Sequence, residues 1–311
     1  MAKTATRQAY GQALAEFGAD ERIVVLDADL SKSTYTVTFK NSYPERHFNM
    51  GIAEANMIAS ACGMATCGKI AFASTFAIFA SERACEQIRN SACYPKLNVK
   101  VCATHAGISV GEDGASHQCV EDLAIMRALP NLTVVQPCDG PSTRACIKAV
   151  IETEGPFYVR LGRLAVDDVY DADNTPFQIG KGNVLQNGGD VTLIATGLMV
   201  QEALSAADTL KTEGINARVI DMHTIKPIDR DLIIAASKET GAIVTAEEHN
   251  IIGGLGGAVA EVLSTSAPCR LGMVGVQDKF GKSGKPAELL KEYGLTAADI
   301  AAKARELIAY K

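Results

Sequence analysis

The sequence predicts an α/β protein built from two doubly wound domains with mainly parallel sheets. Short apolar runs rich in β-branched residues alternate with longer helical patterns from one end of the chain to the other. Those runs show no polar alternation, as expected for strands that are covered on both faces. The length of 311 residues is enough for two domains of roughly 150 residues each. We expect a first domain over residues 1–165, a linker over 166–189 and a second domain over 190–311.

The first predicted domain alternates strands with helices. Apolar runs rich in Val, Ile, Leu, Phe or Tyr predict strands at residues 23–26, 99–103, 132–135 and 157–161. Residues 54–66 and 81–91 carry Ala, Met, Glu and Arg at helical spacing and predict helices. Because parallel strands need crossover connections, this order favours a parallel sheet.

The predicted linker has a different composition. Residues 165–190 are rich in Asp, Asn, Gly and Pro, which favour turns. The alternation then restarts, with strands predicted at 191–195, 217–220, 242–245 and 271–276 and helices at 199–213, 229–240 and 258–264. This order predicts a second, smaller doubly wound domain.

Composition argues against several classes of protein. Lys and Arg number 30 against 36 Asp and Glu, and the absence of Trp and of basic blocks argues against binding of nucleic acid or of an anionic membrane. The first residues lack the apolar core of a signal peptide, and no uncharged apolar run reaches about 18 residues, the length of a membrane span. The nine cysteines are scattered without a C-x-x-C pair, so we expect reduced thiols and a cytoplasmic protein.

Two motifs of the second domain suggest ligands only weakly. Residues 253–257 read Gly-Gly-Leu-Gly-Gly, either a phosphate loop or a plain turn; the spacing matches no phosphate-loop pattern and favours the turn. The neighbours Glu247, Glu248 and His249 could bind a metal. Adjacent strand residues point to opposite faces, however, so we expect no metal there.

Three features of the first domain are candidates for chemistry. Glu54 stands at a strand-to-helix junction in apolar surroundings. Burial would raise the pKa of its carboxyl and suit it to proton sharing, whereas an exposed Glu would only complement the helix dipole. Phe76 and Phe79 are three residues apart, either a core pair or a platform for a flat ligand. Arg160 and Arg163 could bind a phosphate, although Arg163 could instead pair with an acidic residue of 167–168.

Residues 104–118, which we call the histidine loop, are the most informative segment. The loop follows a predicted strand, is punctuated by glycines and contains two of the five histidines and two carboxylates. Loops at the carboxyl ends of parallel strands bind ligands in such sheets. Histidines and carboxylates suit contact with sugar hydroxyls and proton transfer. We therefore favour a functional role over a solvated surface loop.

These motifs together resemble the C-terminal half of transketolase. The resemblance rests, in order, on Gly51-Ile52-Ala53-Glu54, on residues 75–79, on Gly-Glu-Asp-Gly-Ala-Ser-His-Gln at 111–118 and on Arg163, and it covers essentially the whole chain. The Gly-Glu-Asp-Gly-x-x-His-Gln stretch is the specific part. The β chains of 2-oxoacid dehydrogenases have a different loop there, and deoxyxylulose-phosphate synthases usually have Ala-Asp-Gly.

The resemblance implies a pyrimidine-binding domain, then a transketolase C-terminal domain, in an enzyme that depends on thiamin diphosphate. Transketolases bind the diphosphate through Mg²⁺ or Ca²⁺ on an N-terminal domain with Gly-Asp-Gly followed by Asn. No Gly-Asp-Gly occurs in these 311 residues. The resemblance therefore implies the C-terminal subunit of a split transketolase that homodimerises within an α2β2 assembly and moves a two-carbon ketol unit between sugar phosphates of the pentose phosphate pathway. The alternatives are a subunit of another thiamin enzyme or a non-catalytic assembly subunit.

The resemblance also implies roles for individual residues. Glu54 would hydrogen-bond the aminopyrimidine, and the other expected cofactor contacts are Phe76, Phe79, Asp29 and Leu30. His105 and His117 would act with Glu54 in catalysis. The expected substrate contacts are His105, Asp113 and His117 for the sugar, and Arg7, Ser33 and Arg163 for its phosphate. Glu82, Ala106, Ala115 and Cys119 depart from the family pattern, which leaves the identity of the sugar open.

Overall fold

The computed structural model describes residues 3–309 and arranges them in two open sheets flanked by helices. The described strands are β1 (Lys3–Ala5), β2 (Ile23–Asp27), β3 (His47–Asn49), β4 (Ile70–Phe76), β5 (Val99–Thr104), β6 (Thr133–Val135), β7 (Phe157–Arg160), β8 (Ala165–Asp167), β9 (Asn183–Gln186), β10 (Val191–Ala195), β11 (Ala217–Asp221), β12 (Thr224–Lys226), β13 (Ala242–Asn250) and β14 (Arg270–Val276). The described α-helices are α1 (Thr6–Phe17), α2 (Ser31–Thr34), α3 (Val37–Ser42), α4 (Glu54–Thr66), α5 (Cys85–Gln87), α6 (Asp122–Ala128), α7 (Gly140–Glu152), α8 (Met199–Thr212), α9 (Arg230–Thr240), α10 (Leu255–Ser266), α11 (Pro286–Glu292) and α12 (Ala297–Ile308).

The first sheet has the strand order β12-β6-β7-β5-β4-β2-β3. Its strands are parallel except for the edge strand β12, which pairs antiparallel with β6. β12 belongs to the second half of the chain, and its Ile225 is buried in the same apolar cluster as Val134 of β6. The two halves therefore share a sheet and a core.

The second sheet has the order β14-β13-β10-β11-β9. Only β9, from within the expected linker, runs antiparallel. A small ribbon of β1 and β8 ties residues 3–5 to residues 165–167. Two mainly parallel sheets with helices between the strands confirm the predicted α/β class. No helix within residues 3–309 is both long and apolar enough to cross a membrane.

The segment after α4 differs from the prediction. Residues 70–76 form β4, which is fully buried between β5 and β2 in the interior of the sheet. Its sequence mixes residues that are common in strands, Ile, Phe and Thr, with Ala and Ser, and burial on both faces decides its conformation. The helix predicted at 81–91 is broken into π-helical turns at Phe79–Arg83 and Ile88–Cys93 around the short α5. Phe76 thus ends a strand while Phe79 begins a helical turn.

Candidate active site

The carboxyl edge of the first sheet collects most of the predicted site residues. β2 ends just before Asp29 and Leu30, β4 ends at Phe76 and β5 ends just before His105. Because these strands are parallel, their carboxyl ends share one edge, where such sheets bind ligands. Of the six non-glycine residues with positive φ in the described part, Asp29, Tyr35 and His105 lie here, at 65°, 63° and 57°. Such conformations are costly and cluster at functional sites.

Four rings form an aromatic platform at this edge. The rings of Phe76 and Phe79 are stacked, with centroids 5.8 Å apart and an interplanar angle of 12°. The His105 imidazole stacks on Phe76 at 3.8 Å, and His117 meets the same two rings edge-on at 6.3 and 5.5 Å. Phe76 is buried, whereas Phe79 and His117 are half-buried. The platform therefore has an accessible side on which a flat ring could pack.

Glu54 lies beside this platform at the first position of α4. Only 4% of the residue is exposed, which is incompatible with a solvated first-turn Glu. Arg83 Nη1 lies 3.3 Å from Glu54 Oε1, and the Arg83 guanidinium lies 4.1 Å above the Phe79 ring centroid. Within the described chain no other hydrogen bond reaches this carboxylate, so it retains capacity to accept one from a ligand. Arg83 is not among the predicted site residues; its helical spacing of four from Phe79 is the signal that could have indicated it.

Arg7 links the predicted anion-binding residues. Its Nη1 donates to Ser33 O at 2.8 Å and lies 3.3 Å from His105 Nε2, while Nε donates to Arg163 O at 3.2 Å. Burial and the nearby Arg163 lower the pKa of Arg7. Burial, followed by Arg7, Arg163 and His117, lowers the pKa of His105 to about 3. Two guanidinium groups beside a neutral imidazole leave positive charge that favours an anion.

Arg163 and Arg160 have different environments. Arg163 Nη1 donates to Val110 O at 2.7 Å and lies 3.5 Å from Glu112 Oε2. The alternative prediction, that Arg163 pairs with an acidic residue of 167–168, is therefore wrong. Arg160 is fully buried and paired with Asp122, with Nε 2.8 Å from Oδ2. The hypothesis that Arg160 binds phosphate is therefore wrong, because its guanidinium is already enclosed.

Three predicted site residues lie apart from the contacts described above. Asp113 is exposed on the histidine loop, and no described contact brings it to the platform. Asp29 is exposed and accepts a hydrogen bond from Asn49 Nδ2 at 2.7 Å. Leu30 donates its backbone N–H to the buried carboxylate of Asp27. All three are at the same edge as the platform, but without contact to it.

The two weak motifs of the second domain have structural explanations. Glu247 accepts hydrogen bonds from Leu255 N at 2.6 Å and Gly256 N at 2.8 Å, so the first N–H groups of α10 are occupied. The glycine run is therefore a turn that leaves room for this carboxylate: a Cβ at Gly254 would lie 2.0 Å from Glu247 Oε2. In the part of the chain that the structure describes, no group of three His, Cys, Asp or Glu side chains could hold a metal ion.

Comparison with known families agrees with this architecture. Residues 2–168 match the pyrimidine-binding domain of transketolase, and residues 180–300 match the transketolase C-terminal domain. The chain belongs to the transketolase family.

This transketolase-family chain is 53% identical to a putative transketolase C-terminal section of Methanocaldococcus jannaschii, covering 96% of this chain and 95% of that protein. It is 43% identical to a 6-deoxy-6-sulfo-D-fructose transketolase subunit, SqwH, of Clostridium sp. (strain MSTE9), over 97% of this chain and 94% of that one. A solved structure described as a split gene transketolase, inactive beta4 tetramer, matches with a TM-score of 0.92 at 56% identity, covering 98% of both chains.

The transketolase family implies dependence on thiamin diphosphate, and the residues present fit one half of that cofactor. A buried carboxylate with remaining acceptor capacity stands next to stacked phenyl rings, which suits a flat ring with a protonated nitrogen. The chain has no Gly-Asp-Gly for the diphosphate.

Proposed function

We propose that this chain is the C-terminal subunit of a two-subunit transketolase. It transfers a two-carbon ketol unit from a ketose phosphate to an aldose phosphate with thiamin diphosphate. One observation carries the proposal: a continuous row of contacts runs from Glu54 through Arg83, Phe79, Phe76 and His105 to Arg7. We infer a pyrimidine site at one end of this row and an anion site at the other, the arrangement that a phosphosugar reacting at a cofactor requires.

Each part of this row has a chemical task in the proposal. Thiamin diphosphate, when bound, would supply the carbon nucleophile and the electron sink for transfer of the two-carbon unit. Glu54 shares a proton with the pyrimidine ring, and Phe76 and Phe79 orient that ring. His105 stays neutral near pH 7 because its pKa is lowered to about 3, so together with His117 it can donate a hydrogen bond to the sugar or accept one from it. Arg7 and Arg163, assisted by Ser33, bind the phosphate.

The proposed partner is an N-terminal subunit with Gly-Asp-Gly followed by Asn, which holds the diphosphate through Mg²⁺ or Ca²⁺. Support comes from relatives called a C-terminal section and a transketolase subunit, which the match covers to 95% and 94% of their length. We propose two copies of each chain in the active enzyme, because a site shared between domains of different chains favours symmetric pairing. We assign it to the cytoplasm and to the pentose phosphate pathway.

The two guanidinium groups leave two candidates for the anionic group of the sugar. A pair of guanidinium groups binds a sulfonate as well as a phosphate, and one relative is named for a sulfosugar. We propose that the anion is a phosphate. An assay that compares a sulfosugar donor with a phosphosugar donor tests this choice. A preference for the sulfosugar would replace the substrate but keep the reaction.

Reconstitution of the enzyme from two separate subunits tests the proposal that the site is split. Calorimetry of this chain with thiamin diphosphate and Mg²⁺ should show negligible heat until an N-terminal subunit is added, and ketol transfer should appear only in the mixture. Micromolar binding by this chain alone would overturn the split site. A mixture that uses no phosphosugar donor would favour another thiamin enzyme. Full activity of a Glu54→Gln mixture would favour a non-catalytic assembly subunit.

A further inference from the structure

The second domain holds the histidine loop at a point that the proposed chemistry does not use. Glu248, near the carboxyl end of β13, is only 2% exposed. Its Oε1 accepts a hydrogen bond from the backbone N–H of Ser109, at 2.5 Å. The loop backbone passes so close that a Cβ on Gly107 would lie 2.3 Å from Glu248 Cδ, and Gly107 also has a positive φ of 83°. Glycine at 107 and the carboxyl at 248 thus fit each other.

A second contact holds the other end of the loop. Gln118 Nε2 donates to Lys282 O of the second domain at 2.9 Å and to Ile108 O within the loop at 3.0 Å. A Cβ on Gly281 would lie 1.7 Å from Gln118 Oε1, so these two segments are in close contact. The loop is therefore held by the second domain on both sides of its Gly-Glu-Asp-Gly stretch.

Glu248 is itself held from the first domain. Arg160 Nη2 donates to Glu248 O at 3.1 Å and to Asp122 Oδ1 at 3.0 Å. Burial raises the pKa of the Glu248 carboxyl to about 7, while Arg160 and the Ser109 N–H act in the opposite direction. Burying a carboxyl is costly unless it makes specific hydrogen bonds, and here the bond is made to the loop.

We propose that Glu248 is a positioning residue: through Ser109 it holds the histidine loop so that His105 and His117 remain on the aromatic platform. The proposal rests on the proposed function for its kinetic consequence only. The second domain then contributes to substrate binding, although no residue of the second domain belongs to the row of contacts from Glu54 to Arg7.

The neighbouring residue provides a matched control. Glu247 is also buried, and burial likewise raises the pKa of its carboxyl to about 7. Its carboxylate bonds to the N–H groups of Leu255 and Gly256 and not to the loop. Substituting Glu247 therefore removes an equivalent buried carboxyl without removing the loop contact.

Hydrogen exchange of the full chain tests the contact without any activity. In Glu248→Met, amides of residues 107–110 should exchange about tenfold faster or more, because the hydrogen bond that Ser109 N–H donates to Glu248 is lost. Glu248→Gln keeps an acceptor and should stay close to wild type, as should Glu247→Met. Unchanged exchange in Glu248→Met, or equal loosening in Glu247→Met, would overturn the proposal. If Glu248→Met does not fold, Gly281→Ala should displace Gln118 and speed exchange at 115–118; unchanged exchange there would contradict the two-sided hold.

Kinetics of the reconstituted complex test the consequence. Glu248→Met should raise KM for the ketose phosphate about tenfold, with rescue by Glu248→Gln and no change in Glu247→Met. A fall in the amount of active enzyme at unchanged KM would show a merely structural residue and refute the positioning role. If the wild-type complex has no ketol-transfer activity, the proposed function fails, whereas the exchange experiment still decides the loop contact.

Discussion

Substitution of Arg163 by Ala should weaken the binding of phosphorylated donors while sparing an unphosphorylated one. Arg163 Nη1 contacts Val110 O at 2.7 Å and Glu112, while the other guanidinium nitrogens have no hydrogen bond within the described chain. A hydrogen bond to a charged group contributes about 1.5–3 kcal/mol, or roughly 10- to 150-fold in affinity. The side chain is 32% exposed, so solvent screening favours the lower end, about 10- to 30-fold in KM.

The assay compares two donors with the same reconstituted enzyme. KM for a ketose phosphate should rise, whereas KM for hydroxypyruvate, which carries no phosphate, should stay constant, because the phosphate partner contributes uniform binding. Arg144→Ala is the control: this arginine pairs with Glu16 at the surface and should change neither constant. Equal losses of Arg163→Ala with both donors would remove Arg163 from the site.

Three further predictions follow from buried groups. Glu54→Gln should lower kcat by about 10²–10⁴ with little effect on KM for the ketose phosphate, since an amide cannot share the proton; turnover above half of wild type would refute that role. Arg160→Met leaves the fully buried Asp122 without its ion-pair partner, with Tyr158 OH as the remaining side-chain donor to it among the described residues. The free energy of unfolding should fall by about 3–5 kcal/mol in a urea titration, and a loss under ~1 kcal/mol would show that the pair is dispensable. His105 keeps a pKa of about 3, chiefly through burial, against 6.5 in the unfolded chain. Only the unfolded chain binds this proton, so the free energy of unfolding should fall as pH drops from 6.5 towards 3, less steeply in His105→Asn. An imidazole that titrates near 6.5 in the folded chain by NMR would contradict this.

The α/β class could be predicted because strands buried on both faces read as apolar runs. β4 escaped prediction because Ala and Ser interrupt its strand-forming Ile, Phe and Thr residues, and its conformation is set by its place between β5 and β2 in the sheet. β3 and β12 have only three residues each, too few for a periodic pattern. Their pairing partners, not their own sequences, determine them.

The candidate site was predictable where local motifs follow a strand. Residues 105–118 and Phe76 directly follow or end parallel strands, so their place at one sheet edge follows from chain order. The ion pairs of Arg83 with Glu54 and of Arg163 with Glu112 depend on how separate segments pack. Glu248 reaches the histidine loop across 139 positions of sequence, for which no spacing rule exists.

The antiparallel pairing of β12 with β6 limits how this protein can be divided. A fragment that ends after β8 would expose the backbone N–H and C=O groups of β6 along an apolar edge, which is a site for aggregation or strand exchange. The second half alone would lose the partner for Thr224–Lys226 and expose Ile225. Neither half is therefore a self-sufficient module for expression or domain grafting, and engineered chain breaks belong in surface turns such as 213–216, away from this shared sheet.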